Sequence, residues 1–588
     1  MIHEKYCVID IECWTPTGEP DPTKDELRYV GFKSWTGAHR IYKANDVHNI
    51  QSALNNFAYY VGHNISDYDI PILQRHGFST PGRAIDTYNI TVQRAKPMMH
   101  IDFNKGDMSL KKLCEFFKLQ YHKGEFDYAL LKEVSLSKEN EKLLTEYLIG
   151  DLDCADALFK FYYGIFEGFR DLVSAKDRRL MSWLTSSAGA TAYKCICNMT
   201  GIPEIYEEVE ESNSIQYEGA FVSDPEVEYV EGDIYCYDFT SLYPHMFIGG
   251  NLYSINDTDN VGWTGTGIYP SVFINDVDGI NGEYKHTQGK VEKLLHRLFM
   301  ERKQIPKSDP RNLAYKIILN TSYGISGNRK FKSLFNLTTA SDCTAMARRS
   351  IKHARTVLQK EGYKVLYTDT DSCYVLDTYN KEKKLEDLCD YISNVQKASF
   401  NIPVETHKFT KECRIKRMHF FKDDTGNFIK KHYMYVKDND SVTMKGMQVI
   451  KGSASPLAKL IAETYIKPML IKGQMVVLPY DSWHEIFQKE AAIHPEFLIK
   501  RYRVWPIETY KGGEEATGLH AQIAKRYGKG EHWLVINTKI GPGKGNHYAK
   551  LEELKDKYRD EWIKVVKLNE YMKDIREFIY YKDRKKLK

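Results

Sequence analysis

Residues 364–377 read KVLYTDTDSCYVLD, and the fold turns on how this stretch is understood. Val365-Leu366-Tyr367 and Cys373-Tyr374-Val375-Leu376 are apolar or β-prone and read as two short strands. The residues between them read as the tight turn of a hairpin. That turn holds two carboxylates one residue apart, Asp369 and Asp371. The two charges repel, and each costs free energy when taken out of water. One reading leaves the tip in solvent, where aspartate is an ordinary turn former. The other places a divalent cation at the tip to offset the charge.

The chain has 588 residues, too many for one hydrophobic core; a length prior gives roughly three to five domains. A hydrophobic fraction of 42% is that of a soluble globular protein. The net charge of +4 is too small to argue for nucleic acid by itself, although a near-neutral protein can carry a basic groove. The 41 tyrosines suit interfaces and cores alike. The 11 cysteines are scattered, with no CxxC pair and no zinc-type Cys/His cluster, which predicts reduced thiols in a cytosolic type of compartment. The N-terminal MIHEKYCVIDIECW lacks the apolar stretch of a signal peptide. No window approaches ~18 apolar residues, so no transmembrane helix is expected. The final YKDRKKLK predicts a solvated basic tail. Polar, turn-rich stretches at 203–214, 254–263 and 511–531 are the expected connections between domains.

Residues 6–12, YCVIDIE, read as a short strand on which Asp10 and Glu12 share a face. The plainer alternative is an edge strand with a polar side. In VGHNISDYDIPIL (61–73), Asp69 lies between two apolar runs. Residues 143–166 have helical periodicity, with Leu144, Tyr147, Leu148, Asp151 and Leu152 on one face. A carboxylate on that apolar face needs a partner. If Asp10, Glu12, Asp69 and Asp151 converge, they suit two hard cations that activate water against a phosphodiester, and Tyr147 is placed to orient that water. D-I-E, N-x-x-x-Y-D (Asn64 to Asp69) and Y-x-x-x-D (Tyr147 to Asp151) resemble the three exonuclease motifs of proofreading DNA polymerases. Cys13 stands where that family usually has Thr, which affects a contact to the substrate strand and not the metal ligands. SLKKL (109–113) resembles the family's single-strand-binding Ser-Leu motif and reads equally well as a helix start capped by Ser109.

Residues 234–245, IYCYDFTSLYPH, read as a strand that delivers Asp238 at its end and turns into a helix. In RNLAYKIILNTSYGISGN (311–328), Leu313, Lys316, Ile317 and Asn320 share a helical face. Lys316 and Asn320 there either reach one ligand or belong to the solvated side of an amphipathic helix. With the hairpin, three long motifs stand in one order: DFTSLYP (238–244), K-x-x-x-N-x-x-Y-G (316–324) and YTDTDS (367–372). They resemble motifs A, B and C of family B DNA polymerases, and the likeness runs from residue 6 to residue 460. Thr321 departs from the Ser usual after the motif B Asn. QYEGAF (216–221) resembles the family's connection between modules, and KKHYMYV (430–436) its primer-binding motif. KGMQVIKGSASPLAK (445–459) resembles the lead into the thumb. LLHRLFMERKQIPK (294–307) resembles the first fingers helix through Arg302; Pro306 takes the place of a second basic residue, with Lys307 beside it.

The resemblance implies a multidomain α/β and α+β fold. Its parts are a ribonuclease H-like 3′→5′ exonuclease domain (1–170), a connecting region (171–228), and a right-hand polymerase. The polymerase comprises palm (229–285 and 325–450), fingers (286–324), and thumb with C-terminal tail (451–588). It implies template-directed DNA synthesis by nucleotidyl transfer to a primer 3′-hydroxyl, with exonucleolytic proofreading and two Mg²⁺ ions per site, Mn²⁺ being an alternative. Asp238 and Asp371 would hold the polymerase ions, with Asp369 in support; Asp10, Glu12, Asp69 and Asp151 would hold those of the exonuclease. Lys316, Asn320 and Arg302 would meet the triphosphate, and Lys316 would protonate pyrophosphate. Ser241, Leu242, Tyr243, Tyr323 and Gly324 would complete the nucleotide pocket, Tyr243 excluding a 2′-hydroxyl. Lys431, Tyr433, Tyr217, Gly219, Asn64, Ser109 and Leu110 would contact DNA.

The implied partners are primer-template DNA and dNTPs. A sliding clamp, a single-strand-binding protein and a helicase are further partner classes. A monomer without membrane contact is expected, in the cytoplasm, that of a host cell for a viral source. The start of the motifs close to residue 1 and the lack of a C-terminal Cys-rich module resemble the compact viral or phage type. The gaps from Asp238 to Lys316 and from Gly324 to Asp369 leave no space for the insertions of protein-primed phage polymerases, so DNA-primed synthesis is favoured. The alternatives are protein priming, an exonuclease with an inactive polymerase half, and a non-catalytic nucleic-acid-binding scaffold.

Overall fold

The computed structural model describes residues 5–15, 21–92, 108–119, 127–174, 187–207, 217–253, 289–307, 309–379, 382–400, 407–451, 454–510, 513–515, 518–528, 530–542 and 546–587. The expected connection at 254–263, most of that at 203–214 and parts of that at 511–531 lie outside the described residues. By packing, the chain divides into two units. The first holds the described residues up to 207 together with 251–253 and 289–340; the second holds 217–250 and 341–587. Among the described residues, no helix is long and apolar enough to cross a membrane.

The first unit is organised by a five-stranded sheet in the order β3-β2-β1-β4-β5. Strands β1 (Tyr6–Trp14), β2 (Glu26–Ser34) and β3 (His39–Lys43) form an antiparallel meander, while β4 (Tyr59–Gly62) and β5 (Arg83–Asp86) run parallel to β1. The edge-strand alternative for residues 6–12 is therefore wrong. β1 is central, and its near-continuous apolar burial is what a strand covered on both faces requires. Helix α1 (Val47–Asn55) and helix α2 (Asp69–Arg75) flank this sheet in sequence, and α3 (Leu110–Phe116) follows. Ser109 occupies the N-cap position of α3 but makes no capping hydrogen bond through its side chain.

Helix α4 (Lys138–Arg170) starts at a true cap, where Ser137 accepts from the Asn140 N–H. It lies against the sheet at Gly31, where a Cβ would come within 2.9 Å of Leu152 and 3.0 Å of Leu148. Gly31 is paired with Asp10 across β1 and β2, so the lack of a side chain there lets α4 bring Asp151 down beside Asp10. Lys33 ties the same helix to β2 through Asp153 at 2.9 Å and Asp156 at 2.6 Å. Helices α5 (Ala188–Thr200), α6 (Lys290–Gln304) and α7 (Pro310–Ser326) complete the unit. Asp309 caps α7 and Pro310 takes its first turn, a sequence-encoded start.

In the second unit, a six-stranded antiparallel sheet runs β11-β10-β9-β6-β8-β7. Its strands are β6 (Tyr229–Phe239), β7 (Lys364–Asp369), β8 (Ser372–Leu376), β9 (Phe409–Lys422), β10 (Phe428–Lys437) and β11 (Val442–Lys445). The opening hairpin is β7–β8, closed by Thr370 and Asp371, with Thr370 in the left-handed region at φ 64°. Helix α8 (Leu242–Gly250) follows β6, and α9 (Leu337–Lys360) and α10 (Glu382–Phe400) precede β7 and β9. Beyond β11, an apolar core around Trp483, Phe487, Tyr571 and Phe578 packs with Phe421 and Met434 of the sheet.

The basic tail is solvated only in part: Lys582, Lys585 and Lys586 are exposed as expected, whereas Arg584 is buried. Residues 581–587 form a short 3₁₀ helix in which Arg584 and Leu587 are buried. The Arg584 guanidinium donates to the carbonyls of Ile579 at 2.9 Å and Lys422 at 2.7 Å, which satisfies it inside the fold, and Lys586 pairs with Asp481 at 2.8 Å. Charge counting in a short segment cannot see such backbone acceptors.

A Gly31→Ala change is expected to lower stability by ~1–3 kcal/mol through overpacking against Leu148 and Leu152. Denaturant melts check this; unchanged stability would mean that α4 does not depend on the close approach.

Candidate active sites

Two carboxylate clusters stand out, one in each unit. In the first unit, Asp10 and Glu12 leave β1 on one face, and ligand oxygens of Asp10, Glu12 and Asp151 lie within 4.8 Å of one another. Asp69 begins α2, is buried, and accepts from the Ile11 N–H, midway between Asp10 and Glu12, at 3.1 Å. The strand thus contributes two carboxylates through side chains and fixes a third through its backbone. Burial pushes the Asp69 carboxyl up to about 7, against the hydrogen bonds from its own and Ile11's backbone N–H groups. Tyr147 is buried one turn before Asp151 on α4. Asn64 takes a left-handed backbone at φ 63°, and its N–H donates to Asp86 at 2.9 Å. Ser109 is exposed, whereas Leu110 is buried.

In the second unit, the β6–β8 ladder sets Asp238 opposite Ser372, whose hydroxyl donates to the Asp238 carboxylate at 2.8 Å. The Phe239 N–H donates to the Asp371 carbonyl at 3.0 Å, so the backbone holds the hairpin tip against the end of β6. Burial, and then the nearby charge of Asp371, pushes the Asp238 carboxyl up to about 8. Burial also raises Asp371, to about 6, with Asp369 adding to it. Asp369 instead has a cation: Lys431 Nζ lies 3.1 Å from its carboxylate, and Tyr433 donates to it at 3.4 Å. The Lys431 N–H donates to the Tyr367 hydroxyl at 2.7 Å, which anchors the residue on the hairpin.

Ser241 follows the strand in a left-handed conformation at φ 50°, and its carbonyl accepts from His245 N–H at 3.2 Å. Leu242 is buried and Tyr243 half-buried, its phenol pushed well up by burial and by Cys343 and Asp371 nearby. In the first unit, Lys316, Asn320 and Gly324 are exposed on α7 and Tyr323 is half-buried there. Space around Gly324 is open. Arg302 on α6 is held by Asn312, its Nε 3.2 Å from the amide oxygen.

Three participants escaped the sequence reading. Asp86 receives N–H groups of Asn64, Ser66 and Tyr88, and so shapes the Asn64 loop. Arg348 is buried on α9 and donates to the carbonyls of Glu218 and Gly219 at 2.6 and 2.8 Å, with Thr344 donating to Glu218 at 2.7 Å. These bonds fix the backbone between Tyr217 and Ala220. A signal existed, since Thr344, Arg348 and Ile351 share a helical face. Glu412, exposed on β9, adds its field to both Asp238 and Asp371.

Both clusters offer oxygen-only donors, the chemistry of a hard divalent cation site. A chain with this order of acidic sites and these two sheets invites comparison with nucleic-acid polymerases. Residues 190–527 match the family model of DNA polymerase family B, more than half of the chain. The chain belongs to DNA polymerase family B. It is 27% identical over 346 residues to a DNA polymerase of Thermococcus gorgonarius, covering 56% of this chain and 40% of that protein. It is 22% identical over 512 residues to a DNA polymerase of Archaeoglobus fulgidus, covering 79% of this chain and 60% of that one. The chain thus spans only about 40–60% of the length of these relatives. Its fold is similar to the structure of the family B DNA polymerase from the hyperthermophilic archaeon Pyrobaculum calidifontis. That likeness has a TM-score of 0.58 at 18% identity, over 98% of this chain and 77% of that chain.

The folded Asp238 carboxyl titrates near 8 instead of the ordinary 3.8, so between those values the folded state binds more protons than the unfolded chain. Stability therefore falls as pH rises through that window. In EDTA the melting temperature is expected to drop from about pH 4 to about pH 8, with Asp371 adding to the slope only up to about pH 6. Mg²⁺ should reverse the drop, and Asp238→Asn should make it shallower, with Asp69 and Asp371 still contributing. A wild-type slope no steeper than that of Asp238→Asn would contradict the account.

Proposed function

We propose that the chain is a template-directed DNA polymerase with a 3′→5′ proofreading exonuclease, each activity resting on one of the two carboxylate clusters. The observation that carries the reading is the pairing of β6 with β8, which holds Asp238 and Asp371 side by side in a chain of DNA polymerase family B. In this reading the second-unit sheet is the palm, α6 and α7 belong to the fingers and residues 451–588 form the thumb and tail. The meander joined to two parallel strands supports a ribonuclease H-like exonuclease domain.

Asp238 and Asp371 would hold two Mg²⁺ ions, and Asp10, Glu12, Asp69 and Asp151 two more; when bound, such ions lower the pKa of the attacking hydroxyl or water and offset charge on phosphate. The protein's own residues do the positioning, which is most of what phosphoryl transfer asks of an enzyme. Ser372 fixes the orientation of the Asp238 carboxylate. Lys431 and Tyr433 hold Asp369 and would meet primer phosphates without reading sequence. Lys316, Asn320 and Arg302 supply donors for a triphosphate, Lys316 also a proton for the leaving pyrophosphate. The Tyr243 ring would lie under the incoming sugar and leave no room for a 2′-hydroxyl. Tyr147 would orient the water for the exonuclease, which takes frayed, mispaired ends most readily. DNA-primed synthesis is the favoured mode.

A 5′-labelled primer on a longer template with Mg²⁺ tests this. Extension is expected with dNTPs and shortening without them. Asp238→Ala should cut extension by about 10³-fold and leave shortening intact, and Asp10→Ala should do the reverse. Shortening without extension in the wild type would instead indicate an exonuclease with an inactive polymerase half. Tyr243→Ala is expected to lower discrimination against ribonucleotides by about 10–100-fold in single-nucleotide incorporation. Unchanged selectivity would remove Tyr243 from the sugar pocket.

A further inference from the structure

The eleven cysteines are all free thiols, and ten are buried; Cys413 alone reaches solvent. Cys413 lies on β9 directly opposite Cys236 on β6, as an antiparallel pair. Directly opposed residues in such a ladder have Cα atoms about 4.5–5.5 Å apart. That separation falls within the ~4.4–6.8 Å that a disulfide spans. Each thiol perturbs the ionisation of the other, as side chains facing one another across the ladder do. Cys236 Sγ also donates to the exposed Glu412 carboxylate at 3.5 Å, so a proton acceptor is in place. The neighbouring Cys236 thiol, and then the charge of Lys437, hold the Cys413 thiol below its ordinary range, which favours the reactive thiolate. Further along β6, the register shifts between Cys236 and Tyr237, and Asp238 follows at once.

We propose that Cys413 and Cys236 form a hydroperoxide-sensitive pair that closes reversibly into a cross-strand disulfide and slows nucleotide addition at Asp238. In the first step the Cys413 thiolate attacks one peroxide oxygen, the O–O bond breaks, and hydroxide leaves, giving a sulfenic acid. In the second, Cys236 Sγ attacks Cys413 Sγ and gives its proton to Glu412; the S–O bond breaks and hydroxide leaves, taking up a proton as water. Two thiols thus lose two electrons and two protons, and hydrogen peroxide is reduced to two waters. The disulfide ties β6 to β9 immediately before the bulge that aims Asp238. The effect on nucleotide addition rests on the polymerase reading; the disulfide chemistry does not.

The test treats the full chain with graded hydrogen peroxide, blocks remaining thiols by alkylation, and maps peptides without reduction by mass spectrometry. The 236–413 linked peptide is expected at the lowest peroxide that modifies any cysteine, and dithiothreitol should remove it. Cys236→Ala should instead accumulate a Cys413 sulfenic acid that dimedone captures. Primer extension by the oxidised wild type is expected to fall about tenfold and recover with dithiothreitol, while Cys413→Ser keeps full extension under the same peroxide. Cys413 sulfinic acid without a linked peptide in the wild type would overturn the proposal, as would a linked peptide with undiminished extension. A reduced wild type that never extends primers while forming the disulfide would instead count against the polymerase reading.

Discussion

Like charges held together are the constraint from which the second unit is built. Asp238 and Asp371 are pressed side by side by a ladder that does not let them part, since β8 pairs with β6 through five consecutive residues and the tip is bonded back to Phe239. The cost appears as carboxyls that resist ionisation. The surroundings absorb only part of it. Ser372 donates to one carboxylate, Lys431 neutralises the neighbouring Asp369, and a layer of tyrosines (Tyr367, Tyr374, Tyr433) makes the hairpin rigid beneath. A site this unfavourable in isolation is the kind that proteins keep for function at the expense of stability. The first unit answers the same difficulty differently, by giving Asp69 a backbone N–H from the strand that carries Asp10 and Glu12.

Backbone strain follows the same distribution. Eight described residues other than glycine have positive φ, and four of them are Asn64, Ser241, Thr370 and Lys431. Each lies within or beside a cluster or a predicted contact, and none is a residue type for which the left-handed region is free of cost, though Asn tolerates it best. Their conformations are over-determined by neighbours: Asp86 grips the Asn64 loop, and Tyr367 grips Lys431. Gly446 belongs to this scheme, because a Cβ there would meet the Lys431 carbonyl at 2.2 Å.

The hairpin was legible because its signal is local: two apolar runs, a turn, and charges in the turn. Helix α4 was legible for a similar reason, since periodicity placed Asp151 on its buried face. The central place of β1 was not, because one strand's pattern says nothing about how many neighbours it has. Asp86 and Arg348 went unseen since their partners are backbone groups distant in sequence, such as the Asn64 N–H and the Glu218 carbonyl. The burial of Arg584 in the tail is invisible for the same reason, its acceptor being the Lys422 carbonyl. Residues beyond 470 carried no motif, and their role in the structure rests on apolar burial around Trp483 and Tyr571, which many sequences could supply.

The docked tail also bears on the order in which the molecule can be made. Arg584 donates to the carbonyl of Lys422 at the end of β9, and Phe578 packs on Phe421 of the same strand. During synthesis β6, β8 and β9 leave the ribosome long before residues 571–587, so the Phe421 ring waits for its partner Phe578 through more than a hundred further residues. At typical elongation rates that is on the order of ten seconds of exposure. The interval is long enough for a chaperone to engage, and it makes completion of the second unit's core depend on the arrival of residues 571–587.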